Sequence, residues 1–160
     1  GGSLGQGLGL ANGLALALRD RASVPSVFCL VGDGELQEGA FWESAMTSAH
    51  FSLDNLLLLV DRDGRQMEGA TEDIMSLEPV RDKFLAFGWA VEECDGHDFA
   101  SMEEARARLG SRRGKPGCIV ANTVLGKGVS FLENDPSGGR MVLGRDSMDK
   151  ALRELEKGGD

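Results

Sequence analysis

Residues 26–39 read SVFCLVGDGELQEG, and residues 55–66 read NLLLLVDRDGRQ. Each segment begins with an apolar run typical of a buried strand, and the run is followed by an aspartate beside a glycine. A helix is predicted between them over residues 38–51, which makes one βαβ unit. Because ligands bind beyond the carboxyl ends of strands in open parallel sheets, we expect Asp33 and Asp63 to share one site.

The remainder of the chain alternates helices with strands in the same way. Further strands are predicted over residues 88–94 and 117–124, and further helices over residues 4–19, 80–87, 101–109 and 146–157. The strands lack alternation of polar and apolar residues, so we predict an α/β fold of three layers, α/β/α, with a mainly parallel sheet covered on both faces. Residues 127–146 contain GKG, NDP and SGG and are predicted to form a loop. With 160 residues, 41% of them apolar, one domain spanning residues 1–160 is expected.

The composition of the chain limits the classes of partner and the compartment that we expect for the protein. The formal net charge of -9 argues against binding to nucleic acid, which requires clustered Lys and Arg. The three cysteines share no short spacing and are interpreted as core thiols of a reducing compartment. No apolar run approaches the roughly 20 residues that cross a bilayer, and no leader opens the chain, so a cytoplasmic protein without a membrane partner is expected. Residue 1 is glycine, so an N-terminally truncated or processed chain is expected.

The two aspartate turns offer oxygen ligands for a hard cation. Mg²⁺ takes about six oxygens and commonly uses one or two carboxylates together with ligand phosphates. Asp33, Asp63 and a turn carbonyl fit this requirement, and Gly32 and Gly34 leave room for phosphate oxygens near backbone N–H groups. Either motif alone is also an ordinary Asp-Gly turn. The pair, at matched strand ends, favours a site for a metal and a diphosphate.

Four segments carry a resemblance to a known family. They are GGSLGQGLGLANGLALA (1–17), GDGELQEGAFWESAMTSAH (32–50), LDNLLLLVDRDGRQMEG (53–69) and ANTVLGKGVSFLEN (121–134). Together they resemble the cofactor-diphosphate half of transketolase, especially the N-terminal subunit of split transketolases. The resemblance implies a thiamine diphosphate-binding fold, with Mg²⁺ anchoring the diphosphate.

The resemblance also implies roles for individual residues. In the family, the metal ligands are the aspartate of GDG, an asparagine at the second strand end and a carbonyl two residues later. These positions are Asp33, Asp63 and the carbonyl of Arg65. The residues implied to bind the cofactor are Leu4, Gly32, Asp33, Gly34 and Asp63, with the backbone N–H of Gly34 donating to the diphosphate.

A catalytic role is implied for Glu38. It matches a family glutamate that joins a carboxylate network across the subunit interface. The implied partner is a pyrimidine-binding C-terminal transketolase subunit, in a homo- or hetero-oligomer. The implied reaction is the transfer of a two-carbon ketol unit between sugar phosphates.

The sequence departs from the family at two positions that bear on this site. Aspartate replaces asparagine at position 63 and adds a negative charge beside the anionic diphosphate. Two like charges 4 Å apart cost about 4 kcal/mol at an effective dielectric constant near 20. Arg62 and Arg65 either compensate this charge or face solvent. Gly139 stands where the family has a histidine near the cofactor. These departures leave open a non-catalytic scaffold or regulatory subunit, or a specialised ketol or acyl transferase of a biosynthetic pathway.

The histidines of this chain do not replace the missing one. His50 is expected on the helix after the metal motif, at a structural position. His97 follows a strand in an Asp-Gly-His-Asp turn, and a structural role is expected there too, although loops at strand ends often carry sites.

Overall fold

The computed structural model describes residues 2–19, 21, 24–133, 135 and 142–157. The strands are β1 (Val27–Gly32), β2 (Leu56–Arg62), β3 (Arg65–Gln66), β4 (Gly69–Ala70), β5 (Ala90–Asp95) and β6 (Gly117–Asn122). The helices are α1 (Gly7–Leu18), α2 (Asp33–Leu36), α3 (Gly39–His50), α4 (Thr71–Ile74), α5 (Val80–Ala86), α6 (Phe99–Leu109) and α7 (Arg145–Lys157).

Four strands form one parallel sheet, in the order β1-β2-β6-β5. The register pairs Gly32 of β1 with Asp61 of β2, and Arg62 of β2 with Asn122 of β6. Because every strand runs in the same direction, their carboxyl ends lie at one edge. The predicted α/β fold with a mainly parallel sheet is confirmed.

The larger core lies between the sheet and helices α1, α3 and α5. Its centre is a group of aromatic rings whose neighbouring centroids are 5.3 to 6.0 Å apart, made of Phe41, Trp42, Phe84, Phe87 and Trp89. The indole N–H of Trp89 donates to the carbonyl of Ala45 at 3.0 Å, so this buried polar group is satisfied. These contacts hold α3 and α5 on one face of the sheet.

The opposite face of the sheet is covered only in part by the described residues. Helix α6 packs there over β5 and β6, and its Leu109 contacts Ile119 and Leu57 in a smaller core. On β1, Phe28 and Leu30 are 62% and 72% exposed. Helices therefore lie on both faces of the sheet, as the three-layer α/β/α fold predicts, and among the described residues α6 does not extend across the second face to β1.

The apolar spacing predicted that this helix begins at Leu4, but α1 begins at Gly7. Gly5 has a φ of +74°, a left-handed conformation that interrupts the helix and that glycine adopts without strain. Leu14 fits the apolar spacing of a buried face but is 58% exposed. Helix α1 approaches α3 closely at Gly9, where an added Cβ would lie 3.3 Å from the hydroxyl of Ser44 on α3.

Between β2 and α5 the structure contains elements that the sequence did not indicate. Strands β3 and β4 form a short antiparallel pair, and α4 is one helical turn. The segment is too short and too polar for periodicity to reveal it. It turns back towards the end of β2, and this brings Thr71 and Glu72 to Arg62.

The predicted C-terminal helix over residues 146–157 corresponds to α7. The hydroxyl and the N–H of Ser130 donate to Glu154 at 3.0 and 2.6 Å, so α7 is fastened to the segment after β6. Gly139, in the predicted loop over residues 127–146, lies outside the described residues. The cysteines Cys29, Cys94 and Cys118 are buried and free, as expected. In the described part of the chain, no helix is both long and apolar enough to span a membrane.

The aromatic core yields a stability prediction. Phe41 is fully buried, so Phe41→Ala should lower the free energy of unfolding by about 3–5 kcal/mol through lost packing and a cavity. Phe99 is 90% exposed, and Phe99→Ala should change the free energy of unfolding by about 0.5 kcal/mol or less. Urea denaturation of both variants checks this, and equal losses would contradict the assignment of the core.

Candidate functional site

Asp33 lies at the junction of β1 and α2, where the sheet ends. It is 2% exposed, and its two carboxylate oxygens differ in their surroundings. Oδ2 accepts from Nη1 of Arg62 at 3.0 Å, from the N–H of Gly64 at 2.6 Å and from the N–H of Arg65 at 3.2 Å. Oδ1 is buried and has no hydrogen-bond partner among the described atoms. A buried carboxylate oxygen without a partner is costly, so it marks a position where a ligand would be favourable.

Asp63 follows directly after β2 and lies beside Asp33. Its Oδ1 accepts from the N–H of Arg65 at 2.8 Å, and this same N–H donates to Oδ2 of Asp33. Because one backbone N–H serves both carboxylates, the two aspartates predicted at separate strand ends lie side by side. The carbonyl predicted as a third ligand belongs to Arg65, which starts β3.

The electrostatics of Asp33 reflect a compromise between burial and hydrogen bonding. Burial raises the pKa of Asp33 from 3.8 to about 6. The Arg62 guanidinium and the Gly64 N–H oppose this rise, and the charge of Asp63 adds to it. Near neutral pH the carboxylate is therefore ionised, and it is available to a cation at Oδ1.

The loop before α1 is fastened to the turn that follows Asp33. The N–H of Gly5 donates to Oε2 of Glu35 at 2.9 Å, and Glu35 is only 8% exposed. Glu35 is thus a buried carboxylate in α2, and the loop that contains Gly5 covers it. Leu4 immediately precedes this anchored residue and is 48% exposed.

Glu38 is exposed at the start of α3. A Cβ on Gly5 would lie 2.7 Å from the Cβ of Glu38, so only glycine allows this contact between the loop and α3. The role of Glu38 in a carboxylate network across a subunit interface stays a prediction.

Gly32 and Gly34 flank Asp33 at the end of β1. A Cβ on Gly32 would meet no atom within 4 Å, and a Cβ on Gly34 would meet Gln66 only at an ordinary 3.6 Å. The packing of the described residues therefore does not require glycine at either position. A ligand that approaches the backbone there would require it, and the role of Gly32 and Gly34 beside phosphate oxygens stays a prediction.

A cleft of about 520 Å³ opens beside Asp63 at the same edge of the sheet. Its walls include His97, Thr123 and the segment that follows β6. Nε2 of His97 accepts from the N–H of Val124 at 2.8 Å, and the hydroxyl of Thr123 donates to Oδ1 of Asp61 at 2.5 Å. Sequence reasoning gave His97 a structural role, and it does hold this segment in place. The cleft itself was missed, since β5 and β6 are neighbours only in the folded sheet.

His50 is exposed on α3, where its ring meets the edge of Phe51 with the ring centroids 4.9 Å apart. It does not line the cleft beside Asp63. The structure thus gives His50 no contact with the two aspartates.

The donor set fits a cation that shares its ligands with a bound anion. Among the residues that the structure describes, no group of three or more His, Cys, Asp or Glu could hold a metal ion. Two carboxylates and a backbone carbonyl are an incomplete cage, which suits Mg²⁺ with diphosphate oxygens and excludes a closed structural zinc site. The unpartnered Oδ1 of Asp33 supplies the vacant lone pairs.

Comparison with known proteins identifies the family. Residues 1–156 match the family model described as transketolase, thiamine diphosphate binding domain. The chain belongs to the transketolase family. The resemblance drawn from the GDG and DRDG motifs is therefore confirmed.

Relatives of this transketolase domain include subunits of split enzymes. The chain is 41% identical over 155 residues to an apulose-4-phosphate transketolase subunit of Actinobacillus succinogenes, with 97% of this chain and 56% of that protein covered. It is 40% identical over 158 residues to the 6-deoxy-6-sulfo-D-fructose transketolase subunit SqwG of Clostridium sp. (strain MSTE9), with 99% and 58% covered. The chain thus spans little more than half the length of these relatives.

A solved structure supports the same fold for this transketolase domain. The transketolase of Campylobacter jejuni superposes with a TM-score of 0.86 at 31% sequence identity. The match covers 96% of this chain and 25% of that one.

The raised pKa of Asp33 predicts a pH dependence. Because the folded chain binds this proton more tightly than the unfolded chain, the stability that Asp33 contributes is present at low pH. That contribution is lost as the pH rises from about 4 to about 6. Without added metal, Asp33→Asn should therefore gain stability relative to the wild type between about pH 4 and about pH 7.

Urea denaturation of both proteins across this range measures the difference. Asp82→Asn is the matched control, since the Asp82 side chain is 67% exposed on α5, and its difference from the wild type should stay nearly constant. A difference for Asp33→Asn that is equally independent of pH would contradict the electrostatic account of this site.

Proposed function

We propose that the chain binds the diphosphate of thiamine diphosphate through Mg²⁺ and supports transfer of a two-carbon ketol unit between sugar phosphates. Membership of the transketolase family supports the cofactor. The observation that carries the proposal is the buried, unpartnered Oδ1 of Asp33, beside a second carboxylate and at the open end of a parallel sheet.

The residues that would hold the cation are Asp33, Asp63 and Arg65 through its carbonyl. Arg65 also orders the site, because its N–H fixes one oxygen of each carboxylate. Gly32 and Gly34 would let the diphosphate approach the backbone after β1. Leu4 would lie against the cofactor on the loop that Glu35 anchors.

Thiamine diphosphate, when bound, supplies the nucleophilic carbon and the electron sink for breaking and forming carbon–carbon bonds. The described residues contribute binding and orientation. Asp33 and Asp63 provide the negative charge that retains a divalent cation, and the cleft beside Asp63 gives a bound molecule access to the same edge of the sheet. Glu38, on the exposed start of α3, is proposed to act in a carboxylate network with a partner.

The proposed partner is a pyrimidine-binding, C-terminal transketolase subunit. The names of the relatives support this, since two of them are named as one subunit of an apulose-4-phosphate transketolase. A hetero-oligomer would complete the site, and this chain alone would then be inactive. The substrates proposed for this chain are specified only as the class of sugar phosphates.

A scaffold without catalysis is the second candidate. The observation that favours it is the ion pair of Arg62 with Asp33, which gives this carboxylate a cationic partner from the protein itself. In a scaffold, that pair would be the reason for the aspartate, and neither metal nor cofactor would bind.

Calorimetric titration with thiamine diphosphate and Mg²⁺, in the presence of the partner subunit, separates the two functions. Saturable heat that disappears with a chelator is expected for the enzyme. Asp33→Ala should abolish this heat and the accompanying rise in melting temperature, because the ligand oxygen is lost.

Asp73→Ala is a suitable control for that titration. Asp73 is an exposed carboxylate on α4, so cofactor binding should remain at the wild-type level. Absence of heat from the wild-type complex, or full binding by Asp33→Ala, would refute the proposed function.

A further inference from the structure

Arg62 is a nearly buried cation at the end of β2. Its side chain is 9% exposed. Nη1 donates to Oδ2 of Asp33 at 3.0 Å and to the hydroxyl of Thr71 at 3.1 Å. Nη2 donates to Glu78 at 2.8 Å and reaches Glu72 at 3.5 Å. The guanidinium therefore joins the site to the segment between β4 and α5.

The first consequence of these contacts is the orientation of Asp33. Arg62 and the backbone N–H groups of Gly64 and Arg65 all donate to the same oxygen, Oδ2. Rotation of the carboxylate would break these bonds together, so the other oxygen is held at a fixed, unpartnered position. A planar guanidinium suits this task because it donates to several acceptors in a fixed geometry.

The second consequence is electrostatic. Asp33 and Asp63 accept hydrogen bonds from the same backbone N–H, so their carboxylates lie close together and their negative charges repel. The adjacent guanidinium places a positive charge beside the two aspartates and shares it with Glu78 and Glu72, so it compensates part of their negative charge. A partly compensated pair of aspartates still attracts a divalent cation, and it repels a diphosphate less than the same pair without Arg62 would.

We propose that Arg62 is a positioning residue of the metal–diphosphate site, which fixes Asp33 with Oδ1 towards the cation and compensates the charge of Asp63. The inference rests on the proposed function. It resolves the alternatives left by the sequence, because Arg62 turns inward to Asp33 and does not face solvent.

Opposite effects on cation and anion distinguish this role from a structural one. In Arg62→Gln the N–H groups of Gly64 and Arg65 still donate to Oδ2 of Asp33, so the loss of positive charge dominates and the affinity for Mn²⁺ alone should rise about three- to tenfold. The affinity for inorganic pyrophosphate at saturating Mn²⁺ should fall by a similar factor. Damage to the fold would instead weaken both ligands.

Asp63→Asn removes a negative charge from the site, whereas Arg62→Gln removes a positive charge. It should weaken Mn²⁺ binding and strengthen pyrophosphate binding at saturating Mn²⁺. The double variant Arg62→Gln/Asp63→Asn regains the net charge of the wild-type site and should return both affinities to within about twofold of the wild type.

The experiment is a double-mutant cycle on the purified complex with the partner subunit. Electron paramagnetic resonance measures the concentration of free Mn²⁺, and calorimetry measures the binding of pyrophosphate. Arg81→Gln is the matched control, since the side chain of Arg81 is 46% exposed and pairs with surface carboxylates, and both affinities should be unchanged. Arg62→Lys retains the charge and should keep the affinity for Mn²⁺ near the wild-type value even where Arg62→Gln does not fold.

The outcomes separate this inference from the proposed function. A wild-type complex that binds neither Mn²⁺ nor pyrophosphate would overturn both. A wild-type complex that binds both ligands, with parallel losses in Arg62→Gln and no recovery in the double variant, would overturn the role of Arg62 alone.

Discussion

A buried carboxylate held by three donors on one of its oxygens is the interaction on which this site depends. Asp33 loses its hydration where β1 ends, and Arg62 and two N–H groups of the turn after β2 offset part of that loss. The parallel register of β1 and β2 makes this possible because it pairs Gly32 with Asp61. The turn that follows β2 is thereby brought over Asp33 and carries Asp63 with it.

The charges of the site form one unit. Asp63 adds a negative charge that, taken alone, opposes an anionic ligand. Arg62 precedes it in sequence and places a cation on the neighbouring carboxylate, so the charge at position 63 cannot be assessed without its neighbour. The same guanidinium binds Glu72 and Glu78, which connects the edge of the sheet that carries Asp33 to the segment between β4 and α5. Electrostatics and local architecture are therefore coupled through one side chain.

Sequence patterns predicted the parallel sheet and its helices well, because long apolar runs and helical spacing report burial directly. They failed where burial depends on neighbours distant in sequence. Glu35 is polar and close to a helix start, yet the loop that contains Gly5 covers it. Phe28 and Leu30 are apolar and lie in a strand, yet α6 leaves them exposed at the edge of the sheet. The short pair of β3 and β4 has too few residues for any period to show.

The sequence by itself determined the family, the order of the four long strands and the longer helices along the chain, and the two aspartates at the ends of β1 and β2. These features follow from local composition and from spacing within short segments. Only the tertiary structure decided that Asp33 and Asp63 share one N–H, that Oδ1 of Asp33 lacks a partner, and that Arg62 points inward. Those facts depend on strand order, register and side-chain direction, which are set by packing between segments far apart in the chain.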